Sequence, residues 1–221
     1  MAPVRERYAQ QIGGLRDELL RMGSMVEQAL LRAITALETW DSNLAAQVTH
    51  DDALIDEVWR GLEERTINLL ATQQPVVASD LRLCTVVTAI AGELERIGDY
   101  ANSIAKRVRQ ATRRPALLTP PPQVHEMGRL AVQMVNTSLQ AFLHQDAELA
   151  HSLKAADERV DELEDRLRAE IIAAAQADPA LFEAAVDMLD LTHALERAAD
   201  RATNIAERVI YLTTSTLETI N

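Results

Sequence analysis

Apolar residues recur every three or four positions along most of the chain. The first such stripe consists of Leu15, Leu19, Met22, Val26, Leu30 and Ile34. This spacing places side chains on one face of an α-helix. Further stripes fall within residues 55–69, 90–108, 127–139, 160–171 and 191–212. The pattern predicts an all-α fold built from six long helices.

The stripes are interrupted near residues 40–43, 74–80, 145–147 and 178–179, and most strongly by RQATRRPALLTPPPQ. That segment contains Pro115 and the run Pro120, Pro121 and Pro122, and proline breaks a helix interior. We therefore predict a first helical repeat over residues 1–112, a proline-rich linker over 113–122 and a second repeat over 123–221. At the shorter breaks, Asp80 is expected to cap a helix and Pro179 to begin one.

The two halves carry the same charged motif. ELERIGDYANSIAKRV (93–108) aligns with ALERAADRATNIAERV (194–209). Upstream, Met22-Gly23 corresponds to Met127-Gly128, and Asp52 and Asp56 correspond to Asp157 and Asp161. Such repetition indicates an internal duplication. The predicted fold is two tandem, structurally similar three-helix bundles in which short connections make neighbouring helices antiparallel.

The charge and cysteine content narrow the class of protein. A net charge of −12 disfavours general electrostatic binding to nucleic acid or to an anionic membrane. The only cysteine, Cys84, lies in an apolar run and is expected to be a small core residue. No apolar run is long enough to span a bilayer, and the start of the sequence does not resemble a signal peptide. We expect a cytoplasmic protein.

The repeated acids share a helix face. Residues four apart project on one side of a helix, so Glu95 lies beside Asp99, and Glu196 beside Asp200, away from the apolar stripe. The preceding helices repeat the spacing with Asp52/Asp56 and Asp157/Asp161, and Asp165 extends the second row. If the second and third helices of each half pack side by side, four carboxylates converge. Oxygen clusters suit Mg²⁺, Ca²⁺, Mn²⁺, iron or, less selectively, Zn²⁺.

Ordinary surface ion pairs are the alternative interpretation of these acids. Arg96 and Arg197 each precede a motif aspartate by three residues, and Arg60 follows Asp56 by four. Pairs at those spacings form commonly on exposed helices and contribute little to stability. Spacing alone therefore leaves a metal site and a solvated acidic face equally open.

Two segments resemble a known family. QQPVVASDLR (73–82) followed by the first motif, and LERAADRATNIAERVIYL in the second half, resemble the PhoU family of phosphate transport regulators. The resemblance implies paired three-helix bundles in a cytoplasmic, often homodimeric, non-enzymatic protein. It further implies negative regulation of high-affinity phosphate uptake and of the phosphate-starvation response. Its implied partners are the ATPase subunit of the phosphate ABC transporter and a phosphate-sensing histidine kinase.

The resemblance also implies metal binding. Several family members are expected to hold multinuclear iron or zinc clusters through Glu/Asp-xxx-Asp motifs. Carried over by position, the ligands are Glu95 and Asp99 in one half and Glu196 and Asp200 in the other. Asp52, Asp56, Asp157 and Asp161 match acidic positions on the adjacent helices, and Asn204 matches an asparagine that often follows the motif.

The sequence departs from the family pattern at several positions. Ser103 occupies the site that corresponds to Asn204, and Asn102 stands one residue early. Ala198-Ala199 replaces the usual Ile-Gly in the second motif, which calls equal occupancy of the two sites into question. His193 lies one turn before Glu196, but an ordinary surface histidine is the favoured interpretation of it.

Two other functions are compatible with the sequence. Metals bridged by carboxylates can activate water on phosphate esters, so a metal-dependent hydrolase is one alternative. A metal-free helical scaffold is the other. The sequence contains no Gly-x-Ser-x-Gly motif and no phosphate-binding glycine-rich loop. A binding protein rather than an enzyme is therefore the preferred prediction.

Overall fold

The computed structural model describes residues 4–73, 75–114 and 118–220, so the predicted linker proline Pro115 lies outside the described residues. Its helices are α1 (Val4–Thr39), α2 (Ser42–Thr72), α3 (Ala78–Ala111), α4 (Pro122–His144), α5 (Ala147–His151), α6 (Leu153–Ala177) and α7 (Phe182–Thr214). A short 3₁₀ turn, Pro179–Leu181, precedes α7. The predicted all-α fold is confirmed. Within these ranges no helix has the length and apolar content needed to cross a bilayer.

The predicted apolar stripes form the core. On α3, Ile90, Leu94, Ile97, Ala101, Ile104 and Val108 are all completely buried. The stripes of α1 and α6 are buried to a similar degree, from Leu15 to Ile34 and from Val160 to Ile171. Burial of these side chains is the main favourable contribution to folding of the bundles.

The turn after the first helix of each half is built in the same way. Trp40 and Gln145, at corresponding positions, both adopt φ = 52°, a left-handed conformation that is uncommon outside glycine. Asp41 then caps α2 by accepting from the backbone N–H groups of Asn43 and Leu44, and Asp146 caps α5 by accepting from Leu149. The duplication therefore extends to backbone geometry and capping.

The prediction for Asp80 is wrong. The N-cap of α3 is Val77, which makes no side-chain capping bond, and Asp80 lies inside the first helical turn. Its carboxylate instead accepts a hydrogen bond of 2.9 Å from the Tyr8 hydroxyl on α1. An acidic residue in the first turn still interacts favourably with the helix dipole. The prediction for Pro179 is correct, since it begins the turn that leads into α7.

Helices α1, α2 and α3 pack together as one bundle, and α4, α6 and α7 pack as the other, with α5 against α7 and α4. The bundles meet through two helix pairs, α3 with α7 and α1 with α4. The outer helices α2 and α6 make no such contact with each other. The two halves consequently lie side by side.

Polar contacts fix the direction of the α3–α7 pair. Midway along α3, Glu93 lies 3.4 Å from Arg201. Near its end, Arg107 and Arg114 contact the buried carboxylate of Asp187 at 3.2 and 2.9 Å. As residue numbers rise along α3, the residue numbers of the contacting residues on α7 fall. The two helices are therefore antiparallel.

Glycines allow the α1–α4 pair to approach closely. A Cβ atom at Gly23 would lie 2.5 Å from Cδ1 of Leu139, and one at Gly128 would lie 2.9 Å from Cγ2 of Ile34. Both pairs occupy corresponding positions of the repeat, so the same contact is made twice. No ordinary Cβ atom fits at these distances without a shift of the neighbouring side chain.

Gly128→Ala is expected to lower the free energy of unfolding by about 1–2 kcal/mol, because Ile34 is β-branched, buried and unable to move aside cheaply. Gly92→Ala is the matched control, since a Cβ there meets nothing within 4 Å. The control should gain up to about 1 kcal/mol from the higher helix propensity of alanine. Urea unfolding checks both values. Equal stabilisation by the two substitutions would contradict the close contact at Gly128.

Candidate metal centre

Four carboxylates of the first half lie near one another on the neighbouring helices α2 and α3. Asp52 and Asp56 lie on α2, and Glu95 and Asp99 lie on α3. Burial is the largest cause of a raised pKa for Asp52, Glu95 and Asp99. The charge of Asp99 adds to the shift for Asp52 and Glu95, and that of Asp56 adds to the shift for Asp99. The acids therefore share one electrostatic environment, which raises the free energy of their ionised forms.

Asn102 lies at the same place and is almost fully buried, with 5% of its surface exposed. Its Nδ2 donates to Asp52 Oδ2, which partly offsets the rise in the Asp52 pKa. Its Oδ1 is buried and has no hydrogen-bond partner. A buried amide oxygen without a partner is costly. It is also an oxygen donor of the type that hard cations accept.

The second half repeats the arrangement between α6 and α7. Burial, followed by the charges of Asp161 and Asp200, raises the pKa of Asp157 to about 6. Burial, followed by the charges of Asp200 and Glu164, raises the pKa of Glu196 to about 7. Asp161 also has a raised pKa, from burial and then from Asp200 and Glu164. Folding brings these acids together at a free-energy cost that a bound cation would relieve.

Some acids of the two clusters form surface ion pairs with arginine. Arg60 lies 3.3 Å from Asp56, and Arg197 lies 2.9 Å from Asp200. Arg96 makes no ion pair with Asp99, although both residues are described. An arginine therefore offsets the charge of one aspartate in each cluster. The pKa values of Glu95 and Glu196 are raised nevertheless.

Two residues singled out from the sequence lie at the margins. The Asn204 side chain donates to Glu93 of α3 at 3.3 Å, in the contact between the bundles. Asp165 is exposed and adds to the rise in the Asp161 pKa. The expected role of Asn204 as a metal ligand stays a prediction.

Glu164 was missed by sequence reasoning. Its Oε1 lies 3.3 Å from Nδ1 of His193. The same Nδ1 atom lies 3.3 Å from Oε2 of Glu196. Across the described ranges, these three are the one set of His, Cys, Asp or Glu residues whose ligand atoms all lie within 4.8 Å of one another. Glu164 lies three residues after Asp161, on the same side of α6, and this spacing is the signal that sequence analysis had available.

The two clusters lie at the same level along the α3–α7 pair. Tyr100, which follows Asp99, lies close enough to Arg197, which follows Glu196, to raise the pKa of that guanidinium. Arg197 also donates to Asp200. Arg197 on α7 therefore lies beside both Asp200 of the second cluster and Tyr100 of α3.

The chain is thus an all-α protein of two tandem three-helix bundles, each of which carries an acidic cluster. The PhoU domain model matches residues 19–108 and 124–209. This chain belongs to the PhoU family. The family inferred from the two sequence segments is thereby confirmed.

Individual relatives agree with this assignment over nearly the whole chain. The phosphate-specific transport system accessory protein PhoU homolog of Pseudomonas aeruginosa is 35% identical, over 96% of this chain and 88% of the relative. The homolog of Clostridium acetobutylicum is 32% identical, over 96% of each chain. The crystal structure of PhoU from Pseudomonas aeruginosa superposes with a TM-score of 0.90 at 34% identity, covering 95% of this chain and 100% of that chain.

The raised pKa values predict a pH-dependent stability of the metal-free protein. A folded-state pKa of about 7 for Glu196, against 4.5 ordinarily, means that the folded state holds its proton more tightly than the unfolded state. Stability should therefore fall as pH rises from about 4.5 to about 7, by up to about 3 kcal/mol from this group at about 1.4 kcal/mol per pKa unit.

Glu196→Gln should flatten that pH dependence, and denaturant unfolding in the presence of a chelator measures it. Glu162→Gln is the control, because Glu162 also lies in the second half but has a 57% exposed side chain. A stability profile for Glu196→Gln that parallels the wild type across this range would show that Glu196 is not held in the protonated form.

Proposed function

We propose that this chain is a regulatory accessory protein of phosphate transport that binds metal ions through its two acidic clusters. The transport role is supported by near-full-length similarity to proteins named phosphate-specific transport system accessory protein PhoU, including that of Escherichia coli at 30% identity. The metal-binding role is supported by one observation above others. Each half brings four carboxylates from two helices near one another. Burial and mutual repulsion raise the pKa of Asp52, Glu95 and Asp99 in the first half and of Asp157, Asp161 and Glu196 in the second.

The donor atoms fit a hard or borderline cation in type. The first cluster offers carboxylates and the partnerless amide oxygen of Asn102, all of which are oxygen ligands. They are not gathered around a single point, since no three of its acids meet the 4.8 Å spacing found for the set on α6 and α7. Asp52, Asp56, Glu95 and Asp99 would hold metal in the first half, and Asp157, Asp161, Glu196 and Asp200 in the second. Bound cations would supply positive charge that offsets the repulsion between these acids.

The mode of action we propose is that of an adaptor rather than an enzyme. The chain would act in the cytoplasm, as a homodimer, between the ATPase subunit of a phosphate ABC transporter and a phosphate-sensing histidine kinase. It would restrain phosphate uptake and the starvation response when phosphate is abundant. A relative from Streptococcus pneumoniae, 30% identical with a TM-score of 0.85, is described as a phosphate transport system regulatory protein.

Metal occupancy would influence such an adaptor through charge and rigidity. The clusters flank the α3–α7 pair, and Arg197, which donates to Asp200, lies near Tyr100 of α3. A cation among the acids would compete with Arg197 for Asp200 and would hold α2 against α3 and α6 against α7. A ligand changes a conformational equilibrium only to the extent that it binds one state better. We propose that the metal-bound state is the one presented to partners.

Mn²⁺ is expected to bind the wild-type protein at the acidic clusters. Glu95→Gln combined with Asp99→Asn should remove the first-half share of bound Mn²⁺, because it deletes two charged ligands without changing side-chain size greatly. Isothermal titration calorimetry measures stoichiometry and affinity. The matched control is Glu57→Gln with Glu64→Gln, which removes the same charge from exposed positions of α2. Absence of Mn²⁺ binding by the wild type would favour the metal-free scaffold instead.

The adaptor role predicts specific partners. Affinity purification of the tagged full chain from phosphate-replete cells should recover the transporter ATPase or the sensor kinase, and less of either when Asp99 and Asp200 are both changed to Asn. The Glu57→Gln, Glu64→Gln variant should recover wild-type amounts. Recovery of neither partner by the folded wild-type protein would contradict the adaptor role. Phosphate-ester turnover that depends on Asp99 and Asp200 would indicate a hydrolase.

A further inference from the structure

We infer that Glu164, His193 and Glu196 form a site in the second half that takes one borderline divalent cation, of which Zn²⁺ is the representative, through one imidazole nitrogen and two carboxylate oxygens. The inference rests on the proposed function, because Glu196 is also one of the second-half acids. It adds a nitrogen ligand and a residue of α6 outside the Glu-xxx-Asp pattern.

The spacing of the ligand atoms matches that around a single ion. Two ligands at about 2.0–2.1 Å from a tetrahedral Zn²⁺ lie about 3.3 Å apart. The Nδ1 atom of His193 lies 3.3 Å from Oε1 of Glu164 and 3.3 Å from Oε2 of Glu196. The three atoms all lie within 4.8 Å of one another.

Hydrogen bonding explains the arrangement less completely. Nδ1 carries at most one proton, so it can donate to one carboxylate only. It is within hydrogen-bonding geometry of Glu164. The Oε2 atom of Glu196 is buried and has no hydrogen-bond partner, although Nδ1 is near. A cation placed among the three would satisfy both carboxylates at once.

The accessibility of the three side chains suits an open metal site. The Glu164 and Glu196 side chains are only 16% and 15% exposed, whereas that of His193 is 59% exposed. The packing of α6 on α7 thus holds the two carboxylates in place, and the imidazole lies on their solvent-facing side. Arg168, at 3.2 Å from Glu164 Oε1, is the competing cation, and it is 55% exposed and free to swing into solvent.

Among its described residues, the first half has no equivalent set. Gly92 stands where His193 stands in the repeat, and Trp59 stands where Glu164 stands. The first cluster offers oxygen ligands alone, from its four acids and Asn102. Imidazole favours borderline metals such as Zn²⁺, Cu²⁺ and Ni²⁺, whereas oxygen-only sets favour Mg²⁺, Ca²⁺ and Mn²⁺. The two halves should therefore select different metals, even though their acidic motifs are repeated.

Zn²⁺ titration of the full chain with a competing chelator tests the site. His193→Ala and Glu164→Gln should each weaken Zn²⁺ binding at least about tenfold, since even outer partners of metal ligands change affinity by about 10–100-fold. The controls are His151→Ala and Glu162→Gln, both exposed residues of the second half. His193 is exposed enough that its loss should leave the fold intact, and a circular dichroism melt verifies this.

Cu²⁺ provides a direct test of the nitrogen ligand. Electron paramagnetic resonance of the protein with one equivalent of Cu²⁺ should show nitrogen coupling that His193→Ala removes and His151→Ala retains. Nitrogen coupling that survives in His193→Ala, or Zn²⁺ affinity that is the same in wild type and His193→Ala, would overturn the inference.

The outcomes separate this inference from the proposed function. Mn²⁺ binding that depends on Glu95 and Asp99, together with Zn²⁺ binding indifferent to His193, would refute the three-residue site and leave the acidic clusters supported. Zn²⁺ binding that depends on His193, in a protein that does not bind Mn²⁺, would support the three-residue site and refute metal binding at the first cluster.

Discussion

The antiparallel packing of α3 against α7 is the constraint on which the rest of the molecule depends. These helices belong to different bundles, yet each buries a continuous apolar stripe, and their polar side chains pair along their length. At one end the buried carboxylate of Asp187 contacts both Arg107 and Arg114. Loss of a partner from a buried charge is expensive, so this contact fixes the register of the two halves. The α1–α4 contact, made twice through Gly23 and Gly128, secures the opposite side.

That register determines where the acidic clusters lie. Since Tyr100 meets Arg197, the Glu95–Asp99 and Glu196–Asp200 pairs are level with one another and flank the line along which the bundles meet. Each cluster needs a second helix, α2 or α6, to be complete. The folded protein accordingly keeps several carboxylates partly buried and close together, and burial and mutual repulsion raise their pKa values. Stability is reduced at these positions, as is common for sites that bind a ligand.

The two halves are closely similar in backbone conformation but differ in the residues around their acidic clusters. Trp40 and Gln145 share an unusual backbone conformation, and Gly23 and Gly128 make equivalent contacts. The site residues diverge, because the first half has the buried amide of Asn102 and the second has His193 and Glu164. A repeated scaffold has therefore been retained while the ligand atoms around each cluster differ. This difference in ligands, rather than the shared motif, is what distinguishes the two halves chemically.

The sequence by itself determined the fold class, the repeat and the helix faces, because a stripe with a period of three to four residues has only one way to be buried. The acidic pairs were predictable for the same reason, since a spacing of four on a helix fixes their common face. Contacts between helices were beyond that kind of reasoning. Only tertiary packing decided that Asn204 meets Glu93 across the bundles, that Asp80 binds Tyr8, and that Glu164 on α6 reaches His193 on α7. Periodicity describes one helix at a time, whereas those contacts depend on the rotation and register of one helix against another.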